Sequence, residues 1–183
     1  MVEVLAALSA SAAAGIRIAL PLVALELLRG DRLWSNIPVL ANISPQVRLA
    51  VLCSWSLLEL IVSKKLLGQR VLQIVQLVAS PLAGAIAAIS MLESIPAPYW
   101  LIGLIGGLFA FVLQAVQAGW FYRRRGLPLW FVCCQDFLSI LLAVLAVRLP
   151  QVGGIIALGL FWLAIGSYQD LVRWYYNKRS HRR

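Results

Sequence analysis

From Val71 to Leu92, and again from Tyr99 to Phe121, the chain carries no charged side chain. Apolar stretches of about 20 residues are long enough to cross a bilayer as helix. Within hydrocarbon, a helix is the one open structure that satisfies its own backbone hydrogen bonds. These two stretches therefore constrain the fold more than any motif does: an all-α protein in a membrane. The rest of the chain agrees, with 62% hydrophobic residues, 13% charged residues and a mean hydropathy of +0.88. A soluble domain carries about a quarter charged residues.

A length of 183 residues leaves room for about six spans with short connections. The hydropathy pattern predicts transmembrane helices over Val4–Leu28, Val47–Val62, Val71–Leu92, Tyr99–Phe121, Leu127–Val147 and Val152–Tyr175. They form one domain over 1–175, followed by a basic tail over 176–183. Turn-forming residues mark the connections, among them Arg29-Gly30-Asp31-Arg32, Pro96-Ala97-Pro98 and Leu149-Pro150. The first segment opens Met-Val-Glu without a basic leader and is interrupted by Arg17, so it reads as a retained span and not a signal peptide.

The formal net charge is +9. Most basic residues flank spans, which is a topology signal and no sign of nucleic-acid binding. One side holds Lys64, Lys65, Arg70, Arg123, Arg124, Arg125, Arg173, Lys178, Arg179, Arg182 and Arg183. The other holds Arg29, Arg32, Arg48 and Arg148. The asymmetry places both termini in the cytoplasm, with membrane lipids as the first partner. Six spans with both ends inside divide into two three-helix halves of opposite orientation, a plan common among secondary transporters. Ala14-Gly15 with Pro21-Leu22 echoes Ala118-Gly119 with Pro128-Leu129, which is the one trace of such a duplication.

Cys53, Cys133 and Cys134 all fall in apolar segments and read as buried thiols. The single His181 lies in the tail, so no metal site or cofactor is expected. No nucleophile–base pair appears, and the chain leans away from enzymes.

Ser11-Ala-Ala-Ala-Gly-Ile-Arg17 with Pro21, Leu58-Glu59 running into Lys64, Ser80-Pro-Leu-Ala-Gly-Ala85, and Leu127-Pro128 leading to Gln135-Asp136 occur in that order. Together they resemble the small bacterial membrane proteins grouped as domain of unknown function 4126. The resemblance covers nearly the whole chain and implies a polytopic membrane fold in a bacterial cytoplasmic membrane, with a thylakoid or other internal membrane also open. Relatives often show Asp-Lys where this chain has Ser63-Lys64, and Glu-Asp where it has Gln135-Asp136.

Arg17 lies near the centre of the first predicted span and Asp136 near the centre of the fifth, at similar depth. A lone charge there costs about 2.5–3.5 kcal/mol on insertion scales. Placing one beside the other in the bundle interior removes most of that cost. The pair is then either a structural link between two helices or a substrate and proton site. Pro21, after Gly15, interrupts the first span, and Ser80-Pro81 with Gly84 interrupts the third. Either these are proline kinks and no more, or they are breaks of the kind that persist at membrane depth where protein or a wet cavity satisfies the freed groups.

Glu59, Gln73, Gln76, Gln114, Gln117 and Asp170 form a second tier toward the cytoplasm. They either line a vestibule leading to the midplane or tie helices together by hydrogen bonds. Gly103 and Gly107 form a small-xxx-small pattern suited to close helix packing or to a homodimer. Two functions follow from these features. One is a transporter- or permease-like protein built on an Arg17/Asp136 site. The other is a non-transporting scaffold or assembly factor whose apolar faces hold another membrane protein or lipid.

Overall fold

In a computed structural model, described at residues 2–30, 34, 42–62, 66–92, 98–124 and 128–180 (backbone alone at 66–67, 124, 129 and 168–180), the chain is all helix. Among the described residues there are seven helices and no strand. They are α1 (Val2–Ile16), α2 (Ala19–Arg29), α3 (Pro45–Val62), α4 (Leu66–Ile89), α5 (Tyr99–Arg124), α6 (Leu129–Arg148) and α7 (Pro150–Ser180). Five of them, α3 to α7, contain stretches long and apolar enough to cross a membrane.

The expected first span is two helices. α1 stops at Ile16, and α2 begins at Ala19. Proline explains the position of the break. Pro21 has no N–H to donate, and its ring clashes with the carbonyl four residues back, which belongs to Arg17. Arg17 still donates its own N–H to the Ala13 carbonyl at 3.1 Å. Glycine closes the second arm: Gly30 takes φ 57, in the left-handed region, and donates its N–H to the Glu26 carbonyl.

The contacts of the two arms show that the chain turns back. Along α1, Leu5 lies against Gly154, Ser9 against Leu142 and Gly153, Ser11 against Gly84 and Gly106, and Gly15 against Ala110. α1 therefore runs antiparallel to α4 and α6. Along α2, Ala19 lies beside Glu59 and Glu26 beside Arg48, and Arg29 donates to the Ser90 carbonyl just past α4 at 3.0 Å. Both arms thus open at the end of the bundle where α4 and α6 finish, here called the hairpin end. The turn lies halfway along, level with Gln76 and Asp136.

This corrects the six-crossing reading. The first apolar segment enters and leaves at one end as a half-length hairpin, and the long apolar helices number five among the described residues. The start of α1 and the end of α7 consequently lie at opposite ends of the bundle, not on one side as the loop charges suggested. Two opposed three-helix halves are not evident among the described residues.

Small side chains bury α1. It packs on α4, α5, α6 and α7, and it is alanine, serine and glycine over most of its length. Without large side chains the backbones approach closely, which is how helices associate in lipid. A Cβ on Gly15 would lie 2.8 Å from the Ala110 Cα and carbonyl oxygen. Ser9 donates to the Leu142 carbonyl at 2.9 Å, and Ser11 donates to the Gly84 carbonyl at 3.1 Å. These bonds tie α1 to α6 on one flank and to α4 on the other.

α4 and α5 pack along Gly84, Gly103, Gly106 and Gly107, and a Cβ on Gly107 would come within 2.7 Å of the Pro81 carbonyl oxygen. The expected interruption at Ser80-Pro81 is absent, since α4 continues through Pro81. Phe109 of α5 stacks on Phe161 of α7 at 4.8 Å. The cysteines differ from expectation as well: all three are exposed on the outer, apolar surface. An apolar thiol is at home in lipid as well as in a core.

The hairpin makes a direct prediction about sidedness. In a cysteine-free background, V2C and R148C label from one side of the membrane with an impermeant maleimide, and R123C labels from the other. A crossing first segment would put V2C with R123C.

Candidate functional site

The turn of the hairpin carries Arg17, 5% exposed, in the two-residue gap between the arms. Its Nε lies 2.7 Å from Oδ1 of Asp136, which α6 presents at 15% exposure. The N–H is not aimed along a hydrogen-bond direction, so the contact is charge against charge. Arg17 and Asp136, expected together from depth alone, are brought together.

A second carboxylate lies in electrostatic reach of Arg17. Glu59 of α3 is 1% exposed and lies beside the backbone of Ala19, the first residue of α2. The first N–H groups of a helix have no partner within it and carry partial positive charge. Glu59 thus occupies the place where a helix N-terminus receives an anion. Its Oε1 accepts Trp55 Nε1 at 3.0 Å and Gln76 Nε2 at 3.4 Å, while Oε2 is buried without a hydrogen-bond partner.

Amides extend the network. Gln114 of α5 donates to Gln73 at 3.2 Å and to Gln76 at 3.4 Å, both on α4. Gln73 and Gln76 sit three residues apart on one face of α4, so one partner reaches both. Arg17, Gln69, Gln73, Gln76 and Gln135 line a cavity of about 10 Å³, with Leu72, Phe121 and Val132 completing the wall. That is about the space one water needs, with enough polar partners to hold it.

Not every expected residue joins this cluster. Gly15 packs on α5, and Pro21 is buried inside α2. Ser80, Pro81 and Gly84 lie along the hairpin arms; Ser80 is fully buried with its Oγ unpartnered, and Gly84 meets Ser11, Gly106 and Ala110. Gly103 and Gly107 face α4 inside the bundle. Gln117 lines a separate groove. Asp170 lies on α7, its side chain outside those described. No group of three potential metal ligands occurs among the described residues.

A further buried pair had no part in the sequence reading. Glu26 of α2 lies 3.4 Å from the Arg48 Nε of α3, and the Trp34 indole N–H also donates to Glu26. Arg48 reaches the Ile43 carbonyl at 2.8 Å and stacks 5.7 Å from the Trp34 ring centre. By sequence Arg48 is one more charge flanking a span. A lone acid nine residues after Arg17 in an apolar run was the available signal, and its partners lay too far along the chain to identify.

Five long apolar helices around a half-length hairpin, with a charged turn at its tip, define an integral membrane protein of the helical, polytopic class. The chain belongs to the family described as a domain of unknown function (DUF4126), whose model matches residues 4–170. No curated protein and no solved structure matches it.

The charge balance at the tip predicts a non-additive response. Removing one member of a buried pair costs about 3–5 kcal/mol, because the other is left uncompensated, whereas apolar replacement of both costs far less. Thermal unfolding in mild detergent will show large losses for R17A and D136N, and a smaller loss for the R17L/D136L double variant.

Proposed function

We propose that the protein is transporter- or permease-like, with Arg17 and Asp136 as its ligand and coupling site. The observation that carries this reading is the 2.7 Å ion pair at the turn of a half-length hairpin. Non-helical backbone at membrane depth is a recurrent setting for transported solutes and coupling ions. In this reading Asp136 holds Arg17 in the resting state. A proton taken up by Asp136 releases the guanidinium, which then receives a small anion. Proton and anion enter together and leave the site's net charge unchanged. Glu59 stays beside Ala19, next to the positive end of α2. With the basic end of the bundle in the cytoplasm, the polar cavity lies toward that side.

Proteoliposomes with a pH-sensitive dye inside test this reading. Addition of chloride, nitrate or inorganic phosphate outside is expected to acidify the lumen with wild-type protein. R17A and D136N abolish the response although they insert normally. Silence toward all three anions, or full activity in R17L/D136L, would remove the proposal.

A scaffold reading rests on α3. This helix packs on α2 and only slightly on α4, leaving Val47, Val51, Leu57, Leu58 and Ile61 exposed. A second membrane protein held on that face would co-purify at fixed stoichiometry, and L57W/I61W would release it.

A further inference from the structure

α1 ends at Ile16, half the bundle's length from the other end, and the space a crossing helix would fill beyond it is only partly closed. There α5, α6 and α7 leave a groove of about 340 Å³ beneath Ile16. Its wall is almost wholly apolar, including Leu113, Val116, Leu138, Leu160 and Ala164, and Gln135 at its inner end is shared with the polar cavity around Arg17. From Leu113 to the end of α5 at Arg124 is roughly 16 Å at the helical rise. That is about half of a 30 Å hydrocarbon core. The groove thus spans one leaflet. Trp120 lies in the wall near its outer end, and Arg123, three residues further along α5, is exposed.

We infer that this groove holds one acyl chain of an anionic phospholipid from the leaflet at the basic end. The depth matches a chain that starts at the headgroup level and stops at the midplane. The apolar wall suits hydrocarbon and leaves a column of water without partners. Arg123 supplies the charge for a phosphate headgroup at the surface. The lipid replaces, with its own hydrocarbon, the half of a span that the hairpin omits. The inference does not depend on the transport reading, since a structural lipid would occupy the same place.

The test is photolabelling in bilayers with phosphatidylglycerol carrying a diazirine at the end of one acyl chain. Ile16 is 4% exposed and lines the groove, whereas Phe137, at 70%, faces outward to bulk lipid. The expected result is labelling of peptides containing both residues. A164W fills the groove and removes the Ile16 label while sparing Phe137. L163W, a substitution at the outer rim, serves the same purpose if A164W fails to fold. Phosphatidylcholine with the same chain should label Ile16 several-fold less.

Labelling of Phe137 without Ile16 would overturn the inference. Equal labelling by the two headgroups would overturn its anionic part. Disulfide-linked dimers through Cys134, which lines the groove, would give the place to a second copy of the chain.

Discussion

The Arg17–Asp136 pair sets the depth at which the first segment can end. A guanidinium halfway into a bilayer needs a carboxylate, and α6 offers one seven residues in from its start. Once that contact is made, Pro21 weakens the backbone at the same place, since it leaves the Arg17 carbonyl without its helical donor. Proline alone does not force a break, as α4 runs unbroken through Pro81. Charge anchors the turn, and proline loosens the helix where the charge holds it.

The remaining architecture follows from burying such a turn. The tip of two arms that leave by the same end must be covered by protein, because the open backbone there tolerates no lipid. α1 meets this need with alanine and serine on all sides, and its hydroxyls are spent on the Leu142 and Gly84 carbonyls. α2 meets it with the Glu26–Arg48–Trp34 cluster and with Arg29 on the Ser90 carbonyl just past α4. One half of the bundle is therefore close-packed on small side chains. The polar cavity and the apolar groove both begin at the hairpin's tip, at Arg17 and Ile16.

Much of this was legible in the sequence. The helices α3 to α7 follow the apolar runs, because about 20 residues without charge have few other fates in a membrane. The meeting of Arg17 with Asp136 followed from the cost of leaving either alone. The reversal did not follow. Residues 4–28 are long enough for one crossing or for two half-length arms, and hydropathy is identical for both. What distinguishes them is where Leu5, Ser11 and Arg29 find partners, and these lie on α7, α4 and the end of α4, far along the chain. The loop charges gave no help, as α1 begins with an acid and no base. Glu59 reads from the sequence as polar lining; its place beside Ala19, at the start of α2, exists because the chain breaks at Arg17, which a continuous helix would not do.

The alanine-rich surface of α1 has a consequence for how the protein is made. Its neighbours at Gly84, Ala110, Asp136 and Leu142 are all synthesised after it. The hairpin leaves the ribosome first, yet it has no groove to enter until α4, α5 and α6 are in the membrane. Until then its charged turn needs water, and its arms are too short to be held as a span. The first segment of this chain is therefore the last to reach its place, and the bundle must form around a gap that only its own beginning can fill.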